Sequence, residues 1–291
     1  MEKLEEWLES IDCEGELELI SDSKNSKKFY RLSSSMHRGI VMDASLCKEV
    51  LNPFIEIEHR LYEAGVKIAK VFTYNRKEGF LFMEDLGDTH LFDIIDIDFE
   101  LFYGQALDSI MKMQTAKRED LPFYDEELLR TQMNVLLEDV DDEKKATLSS
   151  VFDVIIKEVL SQPSDVFVHG DFHSKNIMFG CSDNIVLIDY ENSKVGAVTY
   201  DLVSLLRDSS VEFATEDVER LALAFRDKIG LDVDDETFMR WFDFTGVQRH
   251  LMLLGKLSKD EASEKRTLTL KYVKEMTSKY DELKGLEPLL A

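Results

Sequence analysis

The chain has 291 residues, and its 35 Lys and Arg against 59 Asp and Glu give a formal charge of −24 at pH 7. Charge of that sign repels nucleic acid and anionic membrane surfaces, which removes both from the expected partners. Most of it is expected to solvate helix faces, and charge alone does not choose a substrate.

With 44% apolar residues the chain can bury a core as one large domain or two small ones. No apolar run approaches the length of a membrane span. Cys13, Cys47 and Cys181 are an odd set without metal-ligand spacing, as expected of a reducing compartment. The segment from Met1 to Glu9 is acidic and amphipathic, unlike a signal or transit peptide. The expectation is a soluble, cytoplasmic protein.

Taken in chain order, Leu17 to Ile20, Lys28 to Leu32 and Gly39 to Met42 read as three strands. Leu46 to Ala64 reads as a helix stopped by Gly65, and Ala69 to Tyr74 and Gly79 to Met83 as two more strands. Five strands and one helix predict a small β-rich domain over residues 1–87, followed by a short hinge near Glu84 to Asp88. Apolar residues then recur at helical spacing in Phe99 to Met113, Glu126 to Leu137, Ala146 to Leu160, Thr199 to Leu206, Val218 to Phe225, Glu236 to Leu257 and Thr267 to Met276. The fold class is α+β, with residues 88–291 forming the larger, mainly helical part.

Within that part lies the segment richest in chemistry. Val166 to Val168 reads as a strand that delivers His169-Gly170-Asp171-Phe172-His173. Asn176 follows five residues after Asp171. Ile177 to Phe179 and Ile185 to Ile188 read as a hairpin across a turn at 180–184, ending on Asp189. Moving a phosphoryl group asks a protein to position reactants and neutralise charge, which takes a carboxylate for the attacking hydroxyl and hard oxygen ligands for Mg²⁺. Asp171 fits the first role; Asn176 and Asp189 fit the second. His169 and His173 would have zinc spacing on a helix, but Gly170 and the flanking strands argue against one. A turn in which Asp and Asn cap backbone groups is the competing reading, and Asp189 at its distance weakens it.

The pattern from His169 to Asn176 with the following Ile188-Asp189-Tyr190 resembles the aminoglycoside phosphotransferase-like branch of the protein-kinase-like fold. Gly170 and His173 match its small-molecule kinases, where protein kinases usually carry Arg and Lys. Tyr190 to Asp208, Trp241 to Leu251, Val41 to Ala44 and Phe80 to Gly87 further resemble the anomeric N-acetylmuramate/N-acetylglucosamine kinases of bacterial cell-wall recycling, a likeness covering nearly the whole chain. The resemblance implies a two-lobed fold, ATP and Mg²⁺ as cofactors, and a small-molecule substrate, an amino sugar phosphorylated at its anomeric hydroxyl. A monomer is the expectation. It also implies that backbone groups of Met83, Glu84, Asp85 and Leu86 pair with the adenine edge.

Other residues acquire candidate roles in the same way. Glu191 and Asn192 follow the metal Asp and are placed to touch sugar hydroxyls, although the sugar kinases have Gln-Asp there, and Ala197 stands where they have Pro. Arg207 is either a bidentate partner for a lactyl carboxylate or a surface ion-pair residue. Gln248 and Arg249, with His250, interrupt the apolar face of the helix beginning near Glu236, as a pocket wall or as a polar outer face. Asp201 opens a helix, and its carboxylate is expected to cap that helix or to accept amides from the catalytic loop.

The phosphate-covering segment departs from the broader pattern. Ser21 to Tyr30 lies between two predicted strands yet has no glycine, so it is either a Ser- and Asn-rich phosphate loop, with Lys27, Lys28 or Arg31 supplying positive charge, or a solvated hairpin tip. Where kinases of this fold place a phosphate-binding Lys on the third strand, Gly39 to Ala44 offers Val41 or Met42. Counting back from Gly65 puts the position of its Glu partner near Phe54. Losing both halves together is coherent, because one alone would leave an unpaired buried charge at a cost of about 3–5 kcal/mol. Lys28 or Arg31 is the expected substitute on phosphate. The missing Lys favours a nucleotide-binding pseudokinase; Asp171, Asn176 and Asp189 together favour catalysis. Aminoglycoside, choline and homoserine-like amino alcohols are alternative substrates, though a cationic one calls for an aromatic cage that the sequence near the loop does not suggest.

Overall fold

The computed structural model describes residues 1–22, 27–138, 140–180, 184–257 and 264–290. Part of the expected phosphate loop (23–26) and the expected hairpin turn with Cys181 (181–183) lie outside the described residues. In chain order the elements are α1 (Glu2–Ser10), β1 (Glu16–Asp22), β2 (Lys28–Ser33), β3 (Arg38–Asp43), α2 (Leu51–Glu63), β4 (Val71–Asn75), β5 (Phe80–Met83), α3 (Leu91–Ile94) and α4 (Phe99–Gln114). They continue with α5 (Glu126–Asn134), α6 (Asp142–Ser161), β6 (Val166–Val168), β7 (Ile177–Gly180), β8 (Asn184–Leu187), β9 (Lys194–Gly196), α7 (Tyr200–Leu206), α8 (Thr215–Lys228), α9 (Asp235–Lys256) and α10 (Glu264–Lys279). The chain forms two compact units, Met1–Gln105 with Lys175–Asn192, and Ala106–Ser174 with Ser193–Ala291.

The first unit is built on an antiparallel sheet of order β1-β2-β3-β5-β4. Alternation assigns its two faces. Tyr30, Leu32, Val41, Phe80 and Phe82 pack on Leu4, Trp7 and Leu8 of α1, with the Trp7 and Phe80 rings 5.6 Å apart. On the other face Phe29 stands opposite Met42, Arg31 opposite Ile40, and Ile40 opposite Met83. Leu51, Phe54, Ile57 and Leu61 form the buried stripe of α2. Its expected start at Leu46 is corrected to Leu51 after a 3₁₀ turn over Lys48–Val50. Pro53 accounts for this, having no N–H to extend the ladder backward. At the other end Gly65 has φ +74°, and Gly65 and Val66 N–H groups donate to Tyr62 and Leu61 carbonyls at 3.0 Å each, a Schellman stop.

The β7–β8 hairpin belongs to this first unit and is held at several points. Leu187 N–H donates to the Lys67 carbonyl (2.9 Å) and Phe179 N–H to that of Thr89 (2.8 Å). From the first turns of α4, Gln105 Oε1 accepts from Ile185 N–H at 3.1 Å, and the Phe102 ring meets Phe179 edge-on at 5.4 Å.

The second unit is helical, with the short β6–β9 ladder on it. Three helices start on Asp caps: Asp125, Asp141 and Asp234 accept from Leu128, Lys144 and Thr237 N–H groups. The Asp141 cap explains why α6 begins earlier than its apolar periodicity at Ala146 suggests. The 22-residue α9 runs through the core, burying Phe242, Phe244, Val247 and Leu251 and also polar side chains at Asp243, Thr245, Gln248, Arg249 and His250. Buried polar groups need partners, and Asp243 finds Lys279 at 2.7 Å and Tyr280 at 2.8 Å. Sequence reasoning had no signal for α3 and β9, which are four and three residues long, and it left the amphipathic α1 unplaced.

Candidate active site

In the second unit β6 leads into the loop carrying Asp171. Gly170 has φ +86°, and a Cβ there would lie 2.6 Å from Tyr124 Oη, so only glycine fits. Asp201, in the first turn of α7, accepts the His169 N–H at 2.7 Å and the Gly170 N–H at 3.0 Å. Burial pushes the Asp201 carboxyl above its ordinary value, against the pull of His169 and those two amides. At the far end of the loop, Asp208 accepts from the Ser174 N–H (3.1 Å) and Oγ (2.5 Å). Two buried carboxylates therefore clamp the loop on either side of Asp171.

Asp171 itself meets Arg249 of α9. Arg249 Nη2 donates to Asp171 Oδ1 at 2.8 Å and Nη1 to the Gly170 carbonyl at 3.0 Å. His173 Nε2 lies 3.3 Å from the other carboxylate oxygen. The Arg249 side chain is 4% exposed and that of Asp171 49% exposed. Partial burial works against ionisation of Asp171, but His173 and Arg249 outweigh it and hold the carboxyl well below the usual carboxylate range. The loop thus presents a half-exposed carboxylate, favoured in its ionised form, on a backbone fixed from both sides.

In the first unit a cleft of 480 Å³ runs along the Phe29/Ile40 face of the sheet. Asn176 and Asp189 line it together because β7 and β8 pair with Ile177 opposite Leu187. Ile188 N–H continues that pairing to the Asn176 carbonyl at 3.1 Å. Asp189 has φ +61°, rare for a residue with a side chain, which turns the chain sharply out of β8. Met83, Glu84 and Leu86, at and just after the end of β5, also line the cleft. Asp85 is 2% exposed and is held by Arg31 Nε at 3.0 Å and Arg38 Nε at 2.7 Å. Burial opposes ionisation of Asp85, yet Arg38, the Gly87 N–H and Arg31 bring its carboxyl below the ordinary value. Its side chain ties the segment after β5 to β2 and β3.

The region expected to lack a Lys–Glu pair is apolar. Met42 is fully buried, and Phe54 packs its ring 4.9 Å from that of Tyr190.

Over residues 16–242 the chain matches the sequence model of the phosphotransferase enzyme family. It belongs to that family. The chain is 30% identical over 257 residues to the N-acetylmuramate/N-acetylglucosamine kinase of Pseudomonas putida, covering 83% of itself and 75% of the relative. It is 28% identical to the protein of the same name from Neisseria meningitidis serogroup B, over 99% and 94% of the two chains. The ADP-bound aminoglycoside phosphotransferase APH(2'')-Ib has a TM-score of 0.67 at 16% identity, over 97% of this chain and 98% of that one. Choline kinase LicA from Streptococcus pneumoniae gives 0.66 at 16%, over 95% and 98%. At such identities these structures speak for the fold, which is protein-kinase-like, as the sequence motifs led us to expect. The protein is a small-molecule kinase.

The remaining candidates of this phosphotransferase are placed as follows. Arg31 lines the cleft, but its guanidinium is forked between Asp85 and Asp88, and Nη2 also donates to the Gly87 carbonyl. Lys28 pairs with Asp22 at 3.2 Å on a more exposed edge and does not line the cleft; Lys27 does. Glu191 lines it too, paired with Lys27, whereas Asn192 is exposed. Gln248 is buried, with Nε2 donating to Gln132 Oε1 at 2.9 Å. Arg207 is turned toward α10, with its guanidinium 5.2 Å from the Tyr272 ring and 3.9 Å from Glu275. Of these three C-terminal candidates, Arg249 is the one that meets Asp171. Sequence reasoning gave no role to Asp208, the last residue of the Tyr190 to Asp208 likeness, and missed Tyr124, which carries no motif. Lys27, one of the three cations the sequence offered for the phosphate loop, shares the strand parity of Phe29 and Arg31.

Proposed function

We propose that the protein transfers the γ-phosphoryl group of ATP, with Mg²⁺, to the anomeric hydroxyl of N-acetylmuramate or N-acetylglucosamine. The observation that carries the phosphoryl-transfer part is Asn176 and Asp189 side by side in one cleft. The sugar rests on the two relatives that bear that name. Mg²⁺ is a hard cation that takes few protein oxygens and completes its shell with phosphate oxygens and water, so the Asp189 carboxylate and the Asn176 amide oxygen fit as its protein ligands. Bound there, Mg²⁺ would neutralise charge on the nucleotide phosphates. Met83 to Leu86 bound the end of the cleft assigned to adenine.

Asp171 is assigned to the acceptor. A carboxylate held so far toward the ionised form is a weak base but a good hydrogen-bond acceptor, and a loose phosphoryl-transfer transition state asks for orientation of the hydroxyl more than for early removal of its proton. Asp201, Asp208 and Arg249 position it. Residues 1–87 are assigned to covering the nucleotide and 88–291 to carrying the catalytic loop and the substrate site. Among the described residues no helix is long and apolar enough to cross a membrane; a cytoplasmic monomer is part of the proposal.

Phosphorus NMR of the protein with Mg²⁺-ATP and the two amino sugars tests the reading. A new resonance split by the anomeric proton is expected. Another phosphate ester would keep the kinase and move the substrate, and no product despite bound nucleotide would restore the pseudokinase. Asp171→Ala should abolish turnover while nucleotide still binds; Asp189→Ala should weaken Mg²⁺-nucleotide binding. Undiminished turnover by Asp171→Ala would sink the mechanism.

A further inference from the structure

The cleft of the first unit contains an ion pair that none of the assigned roles explains. Lys27 and Glu191, 164 residues apart in sequence, are hydrogen-bonded, with their side chains only 15% and 8% exposed. Removing two charges from water is costly and persists where geometry or function repays it. The second oxygen of Glu191, Oε2, is buried without a hydrogen-bond partner among the described residues, a further unfavourable contribution in the folded chain. Such an arrangement is poor stabilisation and reasonable preparation for a charged ligand.

We propose that Lys27, braced by Glu191, is the nucleotide phosphate grip of this enzyme, moved from the third strand to the threshold of the second. The proposal rests on the reading of the cleft as a nucleotide site. Geometry permits the move. Lys27 precedes β2 on the cleft face that Phe29 and Arg31 share, and Phe29 stands opposite the buried Met42 of β3. Neighbouring strands are about 4.8 Å apart, a gap that a four-carbon lysine stem covers. The brace has moved as well. Phe54 occupies the α2 position and packs on Tyr190, while the next residue, Glu191, supplies the carboxylate. A lysine ammonium has three donors, so it can hold a carboxylate and phosphate oxygens at once. It also offsets the negative charge of Glu191 beside Asp189, where phosphates would otherwise meet two carboxylates.

The other cations of the cleft are placed for different work. Arg31 is forked between Asp85 and Asp88, and the Lys175 ammonium sits 4.5 Å from the Phe92 ring centroid on an exposed rim. Glu191 is accordingly a positioning residue for Lys27 rather than a sugar contact.

Titration calorimetry with adenosine and with Mg²⁺-ADP tests this without turnover. Lys27→Met should bind adenosine like the wild type and bind ADP about 10- to 100-fold more weakly, the equivalent of one charge-assisted hydrogen bond. Lys28→Met should bind both like the wild type, and Lys27→Arg should recover most of the ADP affinity. Wild-type ADP affinity in Lys27→Met overturns the proposal. So does equal loss of adenosine and ADP, because the lysine would then be holding the fold. A wild-type protein that binds neither ligand overturns the nucleotide reading itself, a result distinct from either.

Discussion

Replacing Arg249 by Met keeps most of the buried volume and removes two hydrogen bonds. The bond to the Gly170 carbonyl, at 3.0 Å, contributes about 1 kcal/mol. The charge-assisted bond to Asp171, at 2.8 Å, would contribute about 1.5–3 kcal/mol if fully buried. Because the Asp171 side chain is 49% exposed, water screens and partly replaces it, so about half of that is retained. The expected loss is about 2 kcal/mol at neutral pH, read by urea denaturation. The pH dependence follows from the sign of the shift. The folded-state value of Asp171 lies below its ordinary 3.8, so its ionic stabilisation is fully present above about pH 4 and fades as pH falls through the lowered value. The gap between wild type and Arg249→Met should therefore be widest near neutrality and shrink in acid. In turnover, kcat should fall with little change in KM for nucleotide, since Arg249 is not among the residues lining the cleft. A variant with wild-type kcat and a stability deficit independent of pH would refute the argument that Arg249 positions and ionises Asp171.

Three further outcomes are expected. Gly170→Ala should destabilise the protein by about 1–3 kcal/mol, from the strained φ and the contact with Tyr124 Oη; adding Tyr124→Phe should recover part of the loss, which a double-mutant cycle would measure. Asp85→Asn weakens the clasp of Arg31 and Arg38 on the segment after β5 and should cost about 1–3 kcal/mol in thermal unfolding at neutral pH. Since Asp85 titrates below its ordinary value, that difference should also narrow in acid. Asp208→Asn turns an amide N–H toward either Ser174 or Ser210, both of which donate to this carboxylate; kcat should fall while far-ultraviolet dichroism stays unchanged.

What could be read directly from the chain were features encoded within a few residues. Strand alternation in Lys28–Ser33 and Arg38–Asp43 fixes which side chains share a face, and the Leu51, Phe54, Ile57 and Leu61 spacing fixes the buried stripe of α2. The Asp171, Asn176 and Asp189 spacing is local too, because one loop and one hairpin carry all three. The apolar character of this region was legible too: counting along the third strand and α2 gives Val41 or Met42 on one and Phe54 on the other, and all three are buried.

Contacts across long stretches of chain were decided only by folding. Arg249 lies 78 residues from Asp171, and Glu191 lies 164 from Lys27. Nothing in the local pattern of either residue names its partner. The polar run in α9 shows why. On sequence it was a pocket wall or an outer face, and in the folded chain it is buried, with Arg249 turned to Asp171 and Gln248 to Gln132. The three-residue β9 likewise exists because β6 offers it a ladder. Periodicity reports which way a side chain points from its own element; the charge, donor or strand that it meets there depends on which other element packs against that face.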